Sequence, residues 1–188
     1  MNFKLTYYGN PVLRKKARRV TLFDESLACL AAGMLEVMRD KEGLGLAAQQ
    51  IGETVSLCVL DIPERMDHDD LGARLNPDVA MPMILANPRI ERVSRETESY
   101  EEGCLSFPEI TAPVIRPVEI DLTYEDLAGK TRAVRLRGLV ARAAQHEMDH
   151  LAGVLIIDRM TPVKKLVLAG RLKRLRRETR EALASISF

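Results

Sequence analysis

Apolar residues recur along this chain with two periods, one helical and one strand-like. Apolar side chains at helical spacing over residues 27–38 predict a first helix. Asp24 or Thr21 would cap its start, and Gly43 and Gly45 would end it. It is the first of three helices that the pattern indicates.

Other segments have the pattern of strands and loops. Residues 55–61 are short and mostly apolar, as expected of a buried strand. Residues 119–124 and 134–137 alternate between apolar and polar side chains, and the turn-like stretch 125–129 between them predicts a hairpin. Residues 63–83 are rich in proline, glycine and aspartate and predict a long loop.

The other two helices are predicted in the last third of the chain. One covers residues 139–151, and the other opens at Thr161 and Pro162, in the favoured order of N-cap and then N1 proline. Strands combined with a few helices indicate an α+β fold. No repeat or linker interrupts residues 1–188, so we expect one domain with 162–188 as its C-terminal helix.

Composition places the chain among soluble globular proteins. It is 46% apolar and 29% charged with a net charge of +1, so no overall field attracts nucleic acid or membrane. No apolar run approaches the roughly 18 residues that cross a bilayer, and no signal peptide is recognised. We therefore expect a cytoplasmic protein with reduced thiols, in which Cys29 and Cys58 belong to the core.

The stretch QHEMDH at residues 145–150 is the strongest chemical signal. Residues four apart share one face of a helix, so His146 and His150 can reach one metal ion, with the carboxylate of Glu147 beside it. An open catalytic site needs a third protein ligand. Cys104 is the better candidate, because His68 lies in an acidic stretch typical of a solvated loop.

Three further positions are candidates for roles near such a metal. Asp149 either orients an imidazole or faces solvent. Leu139 and Ala143 lie on the histidine face of the helix and would wall an apolar slot, whereas Arg142 falls off that face. The carboxamide of Gln50, after a glycine-rich turn, could donate a hydrogen bond to a developing oxyanion.

Three motifs together resemble those of the peptide deformylases. They are GLGLAAQQ at 43–50, EGCLS at 102–106 and QHEMDH at 145–150, in the order found in that family. The resemblance extends to residues 10–14 and 153–155, and so covers nearly the whole chain. It implies removal of the formyl group from the N-terminal formylmethionine of new polypeptides, in a fold whose mixed or antiparallel sheets pack around the motif helix.

The resemblance also assigns roles to individual residues. It implies that the metal ligands are Cys104, His146 and His150, that the general acid/base is Glu147, and that the oxyanion donors are Gln50 and the backbone N–H of Leu105. It implies substrate contacts at Leu44, Gly45, Glu102, Gly103, Leu139 and Ala143. The family uses Fe²⁺, which Ni²⁺, Co²⁺ or Zn²⁺ can replace. Two departures are a longer segment between Asp61 and Ile84 and a threonine, Thr111, where arginine is usual.

The last helix carries many lysines and arginines. They are either an ordinary solvated face or a surface for ribosomal RNA near the exit tunnel, as the resemblance implies. Three rival functions stay open: a metalloprotease or aminopeptidase, a metal-stabilised ribosome-binding module, and a relative that removes another N-acyl group. Glu147 and Gln50 argue against the binding module, because a structural metal needs neither.

Overall fold

A five-stranded antiparallel sheet forms the centre of the molecule. The computed structural model describes residues 3–186. In their order across the sheet, the strands are β1 (Gly45–Ala47), β2 (Leu57–Leu60), β3 (Met83–Val93), β6 (Glu119–Glu125) and β7 (Thr131–Arg137). The buried strand predicted at 55–61 and the predicted hairpin at 119–137 are therefore confirmed, and β3 begins where the predicted loop ends.

A separate two-stranded hairpin was not predicted from the sequence. It pairs β4 (Thr97–Gly103) with β5 (Thr111–Pro117) in continuous antiparallel register. β4 has a single buried residue, Glu102, so it lacks the apolar alternation by which strands are recognised. β5 alternates between exposed and buried positions, but two of its seven residues are prolines, which argue against a strand.

The first helix, α1 (Glu25–Asp40), packs its buried face on the central sheet. The Asp24 carboxylate accepts a hydrogen bond from Leu27 N at 3.0 Å, so Asp24 is the cap. The prediction that Gly43 and Gly45 end this helix is wrong, since it ends at Asp40 and Gly45 begins β1. The prediction of a core position for Cys29 is also wrong, because this residue is exposed.

The motif helix, α2 (Gly138–Leu151), lies between the two sheets and contacts strands of both. Its start is held by the 63–83 loop, where Asn76 bonds the backbone of Arg137 twice. Asn76 Oδ1 accepts from Arg137 N at 2.9 Å, and Asn76 Nδ2 donates to Arg137 O at 3.1 Å. The expected α+β fold around this helix is confirmed.

The chain ends in a short helix, α3 (Ile156–Arg159), and a long one, α4 (Pro162–Ile186). Thr161 Oγ1 accepts from Lys164 N at 3.2 Å, as the predicted cap requires. Leu168, Leu172 and Leu175 of α4 pack in a third apolar cluster that contains Phe107. Among residues 3–186, no helix is long and apolar enough to cross a membrane.

Candidate metal centre and substrate cavity

A thiol and two imidazoles converge between the hairpin and α2. Cys104 directly follows β4, and His146 and His150 lie one turn apart on α2. One ligand atom from each of the three residues lies within 4.8 Å of the other two, and Cys104 Sγ is 3.3 Å from His150 Nε2. His68 lies outside this cluster. A thiolate with two imidazoles suits a first-row divalent ion and leaves a tetrahedral position open.

His146 is oriented by Glu102, the single buried residue of β4. His146 Nδ1 lies 3.0 Å from Glu102 Oε2, and a ring N–H donated there leaves Nε2 for the cluster. Asp149 neither orients an imidazole nor faces solvent. Its carboxylate is 14% exposed and accepts from Arg116 at 2.8 Å and from Arg159 at 2.5 Å, so both alternatives are wrong.

The carboxylate of Glu102 is the centre of a buried charge network. It accepts from Arg116 Nε at 2.7 Å and from Arg142 NH1 at 2.8 Å. Burial acts to raise the pKa of Glu102, but hydrogen bonds from His146 and Arg116 outweigh it and bring that pKa to about 2. The side chain therefore stays ionised and is fully engaged, so only the backbone of Glu102 is open to a peptide.

The prediction that Arg142 falls off the histidine face is wrong, because it shares the Glu102 carboxylate with His146 and lines the cavity beside the cluster. Its guanidinium is buried, where it donates to Val114 O at 3.0 Å and to Glu98 O at 2.9 Å. It also lies 5.4 Å from the ring centre of Tyr100, over the face. Arg142 thereby ties α2 to both strands of the hairpin.

Glu147 is buried at the inner end of this cavity, with 4% of its surface exposed. Its Oε2 has no hydrogen-bond partner among the described residues, although Oε2 is fully buried. Burial raises the pKa of Glu147 to about 7, although neighbouring His146 and Arg116 act to lower it. Such a carboxyl group can exchange a proton near neutral pH.

Gln50 directs its side-chain amide nitrogen toward the ligand cluster. It lies in the 3₁₀ turn Ala48–Ile51, where its Oε1 accepts from Ala47 N at 2.7 Å. That bond directs Nε2 toward Cys104 Sγ, 3.6 Å away. The N–H of Leu105 makes no hydrogen bond within residues 3–186. The turn at this point is closed by Phe107 N, which donates to Cys104 O at 2.8 Å.

A cavity of about 490 Å³ adjoins the cluster. Every residue that the sequence assigned to catalysis or substrate contact lines it, namely Leu44, Gly45, Gln50, Glu102, Gly103, Leu105, Leu139, Ala143 and Glu147. The sequence did not indicate Leu5, Tyr7 or Lys41, which also line it. Strand-like alternation over residues 5–8 was the one signal that could have indicated the first two.

Comparison with known proteins agrees with this geometry. Residues 3–166 match the sequence profile of the polypeptide deformylase family. The chain is 45% identical to a peptide deformylase of Opitutus terrae over 97% of both chains. It superposes on a plant peptide deformylase with a TM-score of 0.84 and 36% identity, covering 96% of this chain and 92% of that one. The peptide deformylase of Thermotoga maritima superposes with a TM-score of 0.74 and 40% identity, covering 85% of this chain and 98% of that one. The chain therefore belongs to the polypeptide deformylase family, the hydrolases that remove the N-formyl group from newly made polypeptides.

Proposed function

We propose that this chain hydrolyses N-formylmethionyl peptides with Glu147 as the group that moves protons, beside a metal ion held by Cys104, His146 and His150. The observation that carries the proposal is the convergence of these three ligands on a buried carboxylate at the inner end of an apolar cavity. The unpartnered Oε2 of Glu147 supports it, because a buried carboxylate oxygen without a partner is costly unless a ligand supplies one.

The donor set supports a single first-row divalent ion, and we assign Fe²⁺, with Ni²⁺, Co²⁺ or Zn²⁺ as substitutes. When bound, such an ion lowers the pKa of water to about 7 and polarises a carbonyl oxygen. Burial holds the pKa of His150 well below its usual range, so its imidazole is neutral. A neutral ring is the form that binds a metal.

Glu147 accounts for both proton transfers of the reaction. Its carboxylate takes a proton from the attacking water as the new C–O bond forms at the formyl carbon. The same carboxyl group then gives that proton to the nitrogen as the C–N bond breaks, releasing formate and a free amine. A pKa of about 7 allows both directions of transfer near neutral pH.

Gln50 and Leu105 supply the donors for the charge that develops on the formyl oxygen. The Nε2 group of Gln50 points to the cluster, and the Leu105 N–H has no other partner among the described residues. Removing one such donor costs about 3–4 kcal/mol of transition-state stabilisation. Both groups are fixed before substrate arrives, as effective oxyanion donors must be.

The methionine side chain occupies the apolar part of the cavity between Leu44, Leu139 and Ala143. The substrate backbone runs along the open edge of β4, which pairs only with β5 among the described strands. The backbone of Glu102 and Gly103 would bond it there as an added strand. Gly45 also lines the cavity and would contact the substrate through its backbone.

The decisive assay is formate release from formyl-Met-Ala by anaerobically purified protein of known metal content. We expect turnover of formyl-Met-Ala and none of Met-Ala, whereas an aminopeptidase would show the reverse. Glu147→Gln keeps the shape of the side chain, so we expect it to retain metal and lose activity. Undiminished turnover by that variant with full metal would refute the role of Glu147.

A second proposal concerns α4. Leu168, Leu172 and Leu175 face the core. Exposed basic residues cover the flanks and the opposite side, namely Lys165, Arg171, Lys173, Arg174, Arg176, Arg177 and Arg180. This separation favours contact with ribosomal RNA phosphates, which would place the activity in the cytoplasm beside the exit tunnel. Changing Lys173, Arg174, Arg177 and Arg180 to glutamine leaves the core face intact. We expect weaker co-sedimentation with ribosomes at low salt, and unchanged pelleting would refute the contact.

A further inference from the structure

Residues 5–8 run between the two turns that carry the proposed oxyanion donors. Thr6 N donates to Gln50 O at 2.7 Å, and Tyr8 N donates to Ser106 O at 2.9 Å. Gln50 is one of those donors, and Ser106 directly follows Leu105, the other. One short segment thus forms backbone hydrogen bonds to Gln50 and to the residue that follows Leu105.

These two bonds are the backbone link between the turns. Within residues 3–186, no backbone hydrogen bond joins the 3₁₀ turn Ala48–Ile51 directly to residues 104–107. Within the described part of the chain, the only polar contact between them is the weak one from Gln50 Nε2 to Cys104 Sγ, at 3.6 Å. The N-terminal segment therefore links the two donors through the backbone, in addition to the packing of Leu105 against the apolar cluster that contains Ala48 and Ile51.

The segment is itself held firmly. Thr6 is buried, and the ring of Tyr8 stacks on that of Phe107 with centroids 4.9 Å apart and planes 23° apart. Phe3 lies so close to Gly33 of α1 that a Cβ there would come within 2.5 Å of the Phe3 ring. The segment is thus anchored on α1 at one end and on Phe107 at the other.

We propose that residues 5–8 are a positioning clamp, which sets the distance between the Gln50 amide and the Leu105 N–H and so prepares the oxyanion site. The inference rests on the roles proposed above for those two groups. Oxyanion donors act only when they are held near the position of the developing charge, and small displacements cost much of their effect. Thr6 is accordingly a positioning residue, since its N–H acts through Gln50.

The test removes the N–H of residue 6, with the Thr6→Val protein as the parent. In that protein the valine is replaced by 2-hydroxyisovaleric acid, which converts the amide to an ester. The carbonyl of Leu5, which becomes the ester carbonyl, accepts no hydrogen bond among the described residues. We expect kcat for formyl-Met-Ala to fall about tenfold with KM and metal content unchanged, because misplacement of about 1 Å can cost up to a hundredfold.

The control is the same ester at Val79, in the 63–83 loop. Val79 N donates to Asn76 O at 3.1 Å, so this ester also removes one backbone hydrogen bond, but Val79 neither lines the cavity nor bonds either donor turn. We expect its kcat to match that of the unmodified protein. Equal losses at positions 6 and 79 would overturn the clamp.

A Gln50→Ala background separates positioning from plain stability. If the segment acts through Gln50, the ester at residue 6 costs much less in that background than in the parent, because the two changes are not additive. An equal loss in both backgrounds would show that the segment is merely structural and would overturn the inference. If Gln50→Ala with full metal keeps its kcat, the proposed role of Gln50 as an oxyanion donor is wrong, and the proposed clamp is refuted as well.

Discussion

Gly45→Ala is expected to displace the catalytic carboxyl while leaving the fold in place. Gly45 begins β1, and a Cβ at this position would lie 2.5 Å from Glu147 Oε1 and 2.9 Å from Glu147 Cγ. Non-bonded carbon and oxygen atoms rest near 3.5 Å, so the carboxyl group must move by about 1 Å. The φ of Gly45 is not positive, so alanine introduces no backbone strain.

The size of the effect follows from the role of Glu147. A misplacement of about 1 Å can cost a hundredfold, within the 10²–10⁴ range of general acid/base catalysis. We therefore expect kcat to fall about a hundredfold, equivalent to roughly 2.7 kcal/mol of activation free energy. The three nearest atoms to the new Cβ all belong to Glu147, so metal content should not change.

The assay is formate release from formyl-Met-Ala, with metal content and thermal unfolding measured on the same preparation. The matched control is Gly170→Ala in α4, where a Cβ would meet no atom within 4 Å. That variant should keep its kcat and gain about 0.5–1 kcal/mol in stability, because it removes a helix-interior glycine. A Gly45→Ala enzyme with full metal and a kcat within threefold of the parent would refute the reasoning.

Three further substitutions test the surroundings of the site. Arg116→Met leaves the buried Glu102 carboxylate underpaired, so the free energy of unfolding measured by urea titration should fall by about 3–5 kcal/mol. An unchanged urea midpoint would contradict this prediction. Asn76→Ala removes both hydrogen bonds to the backbone of Arg137 at the start of α2. The free energy of unfolding in the same titration should fall by roughly 1–3 kcal/mol. Cys104→Ala should lose its metal on dialysis, and retention of the full content would exclude the thiol as a ligand.

Helical spacing and short motifs predicted much of this molecule. The resemblance of the three motifs to one family implied that Gln50 and Cys104 lie at the same site. The i, i+4 spacing placed His146 and His150 together, and that prediction succeeds because it depends only on local backbone geometry. The same local geometry also explains one failure. Cys29 is two residues from Leu27, about 200° around the helix, and therefore faces solvent while Leu27 is buried.

The hairpin and its charge network could not be read from the sequence. Glu102, Arg116 and Arg142 are nearly fully buried, yet hydropathy assigns charged residues to the surface. They are buried because they pair with one another, and that pairing joins residues up to 40 positions apart. No local pattern contains such information, so both the role of Glu102 in orienting His146 and the strand that carries it were missed.

The open edge of β4 has a consequence for self-association. An exposed strand edge that accepts a substrate backbone also accepts a strand from another molecule. Two glutamates of β4, Glu98 and Glu101, place negative charge along this hairpin. In β5, Pro113 and Pro117 have no N–H to offer a further strand. The hairpin thus discourages aggregation, while the edge next to the cavity stays available to a single extended peptide.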